Sequence, residues 1–500
     1  MGVSATPPPL VDTRGSFSRG GRLRALSPAA ILILLTVAGA ALRFGTLDVQ
    51  SAWLDESSTI FLVRRGLTGM LKHLWSEETP PLYFVVAWAW TKVFGVGVLG
   101  FRSLSALLGT ITIPVMYAVG RRISPRVGLW AAALTTFSPA MYYYSQEARA
   151  YSLLILFSAA AFFFWLRVLQ DRDGRSLALW SLMSVLALLT HYYAIFMFIP
   201  EVVVLVRHLG WRRLLAPAGA VVLTGVALVP LAAWQASTFA VETETGSTAS
   251  RAAGAVKQFL VGVYGPLEIF SALLAGAVVA VAIALLLRGG QARMRRLVLE
   301  IGFVAVAACL LPLVLSLIHV AAGSFDGRHL ISAWIPFALL VAMGVCAARD
   351  PRVGALLGLT LCAISLAVIV GVNAIPGYQR DNWKGVAAAL ASHAGPSVIV
   401  TPSEGFVPLS IYLPHLQKVS ASPTPTRELE FVNLRTKRTG RSPSAPVVPT
   451  TAPPGYRLIA VKRTESYAVS RFLAPGNTIP TASLLKREIG EPAAEVLIRG

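Results

Sequence analysis

Charge and cysteine are scarce in this 500-residue chain. Only 14% of the residues are Asp, Glu, Lys or Arg, and there are three cysteines, Cys309, Cys346 and Cys362. All three fall inside apolar segments and read as small core residues, so no disulfide framework is implied. Acidic side chains are the rarer sign: 24 Asp and Glu stand against 44 Lys and Arg, a formal charge of +20. Such an excess can signal nucleic acid, but most of the arginines lie in short loops between apolar runs rather than on one amphipathic face. That distribution excludes nucleic-acid binding and makes the charge a matter of topology. No internal repeat is visible, which weighs against the inverted-repeat transporters.

What is abundant is apolar. Hydrophobic residues make up 55% of the chain, the mean hydropathy is +0.65, and the apolar runs are long enough to cross a bilayer. They lie near residues 27–45, 80–95, 102–120, 127–143, 149–168, 176–190, 192–206, 214–235, 266–287, 297–319, 329–348 and 353–373. This is the pattern of a polytopic helical membrane protein. The run from Ser27 to Leu47 follows Arg14, Arg19, Arg22 and Arg24 and has no small-residue cleavage site before a soluble chain. It reads as a retained signal anchor, with residues 1–26 a basic cytoplasmic tail.

If every run crossed, the loop with Arg121, Arg122 and Arg126 would face outward and each later arginine loop would be inverted. Demoting 80–95 to a surface or re-entrant helix puts these arginines on one side, together with Arg167, Arg172 and Arg175; Arg207, Arg212 and Arg213; Arg288, Arg293, Arg295 and Arg296; and Arg349 with Arg352. Pro80-Pro81, Lys92 and the interfacial aromatics Tyr83, Trp88 and Trp90 agree with that demotion. The expected fold is an all-α polytopic bundle of about 11 transmembrane helices over residues 27–373. Its first external loop holds two juxtamembrane helices, about 56–71 and 81–95.

Residues 374–500 are expected to form a small external α/β domain. DNWKGVAAALASHA and EGFVPLSIYL read as helices, SVIVT and YRLIAVK as strands. Between them, 421–455 is rich in Pro, Ser and Thr and is expected to be a flexible insertion.

With this topology, polar outliers gather on the outer face. Asp55 and Glu56 begin the first loop, Glu77 and Glu78 precede the Pro pair, Arg102 heads the second span, and Glu147 with Arg149 lies between the third and fourth. His191 sits at an outer turn, and Arg328 with His329 opens the tenth span. Arginines beside carboxylates at one membrane face point to a phosphate to be held and a proton to be moved. Each residue also has a plainer reading. Asp55 and Glu56 could cap a helix, Arg102 and Arg328 could snorkel to headgroups, Glu147 and Arg149 could pair in a loop, and His191 could be an interface anchor. Glu201, inside an apolar run, calls for a function or a pairing partner.

Several elements together resemble a known family. LDESSTIFLVRRG, SEETPPLYF, FRSLSALLGTITIPVMYAVGRR and YYYSQEARAYSLL occur in the order and spacing of the GT-C fold polyprenyl-phosphate-sugar glycosyltransferases, the glycosyltransferase family 39-like group of protein O-mannosyltransferases and aminoarabinose transferases. Later, GRHLISAWIPFALLVAMG and GYQRDNWKGVAAAL are similar to that group's late helix and to the start of its external domain. The resemblance implies Asp55 as the catalytic base and Glu56 as its partner. It also implies Arg102, Arg149 and Arg328 as contacts to the donor phosphate or to the loop, and Glu78 as a candidate metal contact; Glu147, His191 and His329, read from their place on the outer face, are further candidate substrate or metal contacts. Thr79 stands where relatives often carry His or Lys, so one expected contact is missing. A divalent ion is allowed by the resemblance but not required, and no metal site is assigned.

The expected function is therefore an inverting glycosyltransferase of the plasma membrane, a mannosyltransferase-like enzyme of the cell envelope. It would move a sugar, a mannose-like hexose among the candidates, from a polyprenyl-phosphate donor to a hydroxyl on a protein, lipid or polysaccharide. The alternative is a transporter or flippase of a lipid-linked sugar, which predicts charged residues along a path at the midplane.

Overall fold

The computed structural model describes residues 26–238, 247–289, 292–318, 325–392, 396–419, 426–435, 445–478 and 494–499. The basic tail expected over 1–26 lies almost wholly outside them. Several helices announce their starts in the sequence through a short polar residue followed by proline. Ser27 caps α1 (Pro28–Phe44), and Ser124 caps α6 (Pro125–Phe137), each hydroxyl accepting a first-turn N–H. Ser138 caps α7 (Pro139–Tyr144) in the same way, and Asp350 caps α16 (Pro351–Ala374). Proline at the first helical position costs no hydrogen bond, and the capping oxygen satisfies an orphan donor.

Between α1 and α6 lie α2 (Leu54–Arg64), α3 (Gly66–His73), α4 (Leu82–Phe94) and α5 (Val98–Arg121). The juxtamembrane helix expected over 56–71 is thus two helices, broken at Gly66, whose φ of +76° suits glycine. Gly95 and Gly97 join α4 to α5 and Gly100 lies in the first turn of α5, so their spacing follows a helix and not the strand that a dinucleotide loop requires. The bundle continues with α8 (Tyr151–Asp171), α9 (Gly174–Thr190), α10 (Ile195–Leu209), α11 (Trp211–Thr238), α12 (Thr248–Val261), α13 (Glu268–Arg288), α14 (Ala292–Leu317) and α15 (Trp334–Cys346). Seven of these helices, α5, α8, α10, α11, α13, α14 and α16, are long and apolar enough to cross a membrane. The shorter apolar helices α1, α9 and α15 match further expected spans. The run expected over 127–143 is instead split at Ser138-Pro139 into α6 and α7. The amphipathic α12 falls between the runs expected over 214–235 and 266–287.

Contacts between spanning helices gain nothing from the hydrophobic effect once in lipid, so close packing matters. At the α5–α6 crossing, a Cβ on Gly120 would lie 2.7 Å from the Gly128 Cα, and one on Gly128 would lie 2.7 Å from the Tyr117 carbonyl oxygen. Where α6 stops, the carbonyls of Thr135 and Thr136 lose their helical donors. Arg43 of α1, fully buried, supplies them, and it also donates to the Gly39 carbonyl and the Ser145 hydroxyl. A second apolar core joins α2 through α5 with the start of α8 around Ile60, Met70, Phe84, Phe101 and Leu153.

After α16 the chain forms an α/β unit with α17 (Trp383–Ala391), β1 (Ser397–Thr401), α18 (Phe406–Tyr412), β2 (Leu416–Lys418), β3 (Thr426–Leu434), β4 (Arg457–Arg463), β5 (Tyr467–Thr478) and β6 (Glu495–Arg499). The sheet order is β2-β6-β1-β3-β5-β4, with β1 and β3 parallel and the other pairs antiparallel. The four elements expected here are present as α17, β1, α18 and β4. The flexible insertion expected over 421–455 is corrected: β3 lies inside it and is paired on both sides, while residues 420–425 and 436–444 lie outside the described residues.

Candidate active site

Asp55 and Glu56 occupy the first turn of α2, and neither caps it. The N-cap is Trp53, which makes no side-chain capping bond. Adjacent helical residues point about 100° apart, so the two carboxylates part company.

Glu56 turns inward. Its carboxylate meets Arg102 in a two-pronged pair, Nε to Oε1 at 2.6 Å and Nη2 to Oε2 at 2.7 Å, and it also accepts the Ala148 N–H at 3.0 Å. Arg102 gives its remaining donors to the carbonyls of Leu47, Gln50 and Ser51. All five guanidinium N–H groups are thereby used, and both side chains are buried. Arg102 has no donor left for a phosphate, and Glu56 faces no open space. These two expected site residues form an internal latch at the base of the first loop.

Asp55 turns toward the half-open side. Its Oδ2 lies 3.5 Å from Arg328 Nη1 and 3.9 Å from Arg149 Nη2. Arg149 also donates to the Asp55 carbonyl and the Thr59 hydroxyl, both at 3.3 Å, and sits 3.9 Å from Glu77 Oε2. Arg328 is oriented through Asp326, whose Oδ1 accepts its backbone N–H at 2.7 Å. Burial works against the Arg149 charge, but Asp55, Tyr151, Glu77 and Glu78 outweigh it and hold the guanidinium protonated; Arg328 is held likewise by Tyr151, Asp55 and Asp326. Burial pushes the Glu77 carboxyl up to about 7, with Arg149 pulling it back and Glu78 and Asp55 adding to the rise. Glu77 is buried and its neighbour Glu78 exposed, so the acid on Arg149 is Glu77.

A wall of rings continues from this cluster. Tyr151 lies 5.5 Å from His191, His191 lies 5.2 Å from Tyr193, and Tyr193 stacks on His329 at 4.0 Å. His191 Nδ1 accepts the Tyr193 backbone N–H. Burial, then His329, Arg149 and Arg328, hold the His191 imidazole well below its usual range, so it is neutral at pH 7. The turn carrying Glu77 is fixed by Gln235 of α11, which donates to the carbonyls of Leu74 and Thr79 and accepts from the Tyr192 hydroxyl.

Glu147 is drawn away from Arg149. It pairs with Arg380 at 3.0 Å, both side chains buried. Burial lifts Glu147 to about 7, while Arg380 opposes the rise. Among the described residues no three His, Cys, Asp or Glu side chains group to hold a metal ion. Glu201 finds its partner in Trp180, whose indole N–H donates to Oε2 at 2.7 Å. Sequence reasoning passed over Arg43, Gln235 and Arg380. For Arg380 a signal existed, because it is the arginine of GYQRDNWKG.

Residues 78–235 match the family model for dolichyl-phosphate-mannose-protein mannosyltransferase. No curated protein matches the chain in sequence. The crystal structure of ArnT from Cupriavidus metallidurans bound to undecaprenyl phosphate superposes with a TM-score of 0.53 at 15% identity, over 76% of this chain and 84% of that one. The apo structure of the same protein aligns at 15% identity over 79% and 97%, with a TM-score of 0.38. The chain thus has the fold of ArnT, and its residues 78–235 are similar to the mannosyltransferase family model.

Proposed function

We propose that the protein is an inverting glycosyltransferase that moves a monosaccharide from a polyprenyl-phosphate donor to a hydroxyl acceptor on the outer face of the plasma membrane, with Asp55 as base. The observation that carries this reading is the convergence of one half-open carboxylate, Asp55, with two arginines, Arg149 and Arg328. In the reaction the acceptor oxygen forms its bond to the anomeric carbon as the carbon–oxygen bond to the phosphate breaks. The acceptor proton goes to the Asp55 carboxylate, and the lipid phosphate leaves with the bonding electrons. Arg149 and Arg328 stabilise the charge that grows on that phosphate. A donor phosphate competes with Asp55 for the same guanidiniums and thereby frees the carboxylate to take the acceptor proton. Buried, neutral His191 packs against Tyr193 and His329, whose half-buried stack offers the sugar a ring surface. Glu56 and Arg102 hold the loop. The sugar proposed is a mannose-type hexose, in keeping with the family model over 78–235.

Purified protein, offered a panel of polyprenyl-phosphate sugars with mass analysis of the products, tests the reaction. Asp55→Asn is expected to cut turnover by about 10²–10⁴ while donor binding persists. Turnover at the wild-type level in that variant overturns the base assignment.

A further inference from the structure

The segment that leads into Asp55 is gripped from two sides. From the bundle, Arg102 binds the carbonyls of Leu47, Gln50 and Ser51. From the α/β unit, the Arg380 backbone N–H donates to Gln50 Oε1 at 3.1 Å and the Lys384 backbone N–H to Ser51 Oγ at 2.9 Å. The Lys384 ammonium reaches Asp48 at 2.8 Å, and the Tyr412 hydroxyl at the end of α18 accepts the Ala52 N–H at 2.8 Å. Asp55 follows three residues later on α2. Helix α18 packs against α2, and its Ile411 joins the juxtamembrane core.

The Arg380 side chain reaches a second segment. Its guanidinium donates to the Gln146 carbonyl at 2.9 Å, the Tyr143 carbonyl at 3.2 Å and Glu147 Oε1 at 3.0 Å, and it lies over the Tyr143 ring at 4.4 Å. Two residues beyond Glu147 is Arg149. One residue of the α/β unit therefore ties together the segment that presents Asp55 and the loop that presents Arg149. Stability alone does not account for the arrangement, because a buried ion pair gains little over an apolar pair of similar volume. What the pair adds is geometry: a planar guanidinium with several acceptors fixes distance and angle together.

Resting on the reading of Asp55 as base, we propose that Arg380 and Tyr412 are positioning residues. The α/β unit sets the placement of Asp55 against Arg149 and is a working part of the transfer site. Neither residue touches the reacting atoms; each acts through the backbone of 48–52 or 143–147.

The test uses the full chain in detergent with two variants, Tyr412→Phe and the double variant Arg380→Met with Glu147→Gln, which leaves no unpaired buried charge. The readouts are kcat per folded molecule, donor KM, and hydrogen exchange of the backbone over 47–56 and 143–149. Tyr412→Phe is expected to lower kcat on the order of tenfold and the double variant on the order of a hundredfold, with donor KM little changed and with faster exchange over 47–56 in Tyr412→Phe and over 143–149 in the double variant. A merely structural role lowers the folded fraction and leaves kcat per folded molecule unchanged, so wild-type kcat in both variants overturns the proposal, as does a loss confined to donor KM. If the wild-type protein transfers no sugar from any polyprenyl-phosphate donor, the proposed function fails instead. Exchange over 47–56 then decides the clamp separately: unaltered exchange in Tyr412→Phe overturns it.

Discussion

Arg102 and Arg149 are the same residue type, both buried, yet the number of acceptors around each gives them different work. Arg102 has five acceptors for five donors, whereas Arg149 makes longer contacts, 3.3 to 3.9 Å, to a carboxylate, a carbonyl, a hydroxyl and a second acid. Truncating Glu56 to Ala is therefore expected to strand a buried guanidinium and cost about 3–5 kcal/mol, read as a lower unfolding midpoint in detergent. Pairing Glu56→Leu with Arg102→Met should recover only part of this loss, because removing Arg102 orphans the carbonyls of Leu47, Gln50 and Ser51; full recovery contradicts the latch. Glu77 gives a pH prediction. Its carboxyl takes up a proton near 7 in the fold, above the unfolded range, so its contribution to stability is complete below about pH 4.3 and is lost as pH rises through about 7. Unfolding midpoints measured from pH 5 to 8 should fall less steeply in Glu77→Gln than in the wild type, and identical slopes exclude the assignment. That Asp55 would lie with Arg149 and Arg328 was legible from topology, since all three fall at the same ends of their helices. That Glu56, Arg102 and Glu147 would turn inward was not, because helical angle decides it and the partners lie 46 residues away for Glu56 and 233 for Glu147.

Among the helices, α6 and α7 show how a local stop signal outweighs hydropathy. Residues 127–143 are apolar enough to read as one span, yet Ser138 followed by Pro139 ends one helix and caps the next. The break exposes two carbonyls in an apolar layer, and Arg43 of α1 answers both. Arg43→Leu is expected to leave these acceptors unpaired at about 1–3 kcal/mol each, lowering the unfolding midpoint. A midpoint equal to the wild type means that Arg43 is not what satisfies the break. In the α/β unit the strands that could be read were the apolar ones, SVIVT and YRLIAVK. Strand β3 was hidden by its composition, because Glu428 and Glu430 make ELEFVNL look solvated. In the fold both acids meet Arg471, at 2.8 Å and 2.5 Å, and Ser397 Oγ donates to Glu430. A charge pattern that reads as surface is here a buried ladder across β1, β3 and β5, and only the pairing reveals it.

At the scale of the molecule, one sign of charge and one kind of chemistry are separated by the length of the bundle. The acid–arginine cluster, the ring wall and the α/β unit share one end, since Asp55, Arg149, Arg328 and Arg380 all meet there. The arginine-bearing turns after α5, α8, α10, α13 and α15 follow helices that run away from that end. Loops rich in Arg and Lys stay on the cytoplasmic side when helices insert, and on that ground we propose that the charge asymmetry orients the assembly with the cluster outward. In that proposed orientation a polyprenyl-phosphate donor would present its phosphate from the outer leaflet at the depth of Arg149 and Arg328. The orientation is testable with single cysteines at Lys92, near the C-terminus of α4, and at Arg122, just past α5, in a chain whose three native cysteines are replaced by Ala. An impermeant thiol reagent on intact cells is expected to label Lys92→Cys and to spare Arg122→Cys until the membrane is opened. The reverse pattern would turn the cluster toward the cytoplasm, where the phosphate-bearing end of the donor would have to lie in the inner leaflet, and the outer-face reaction would be untenable even with every residue of the cluster in place.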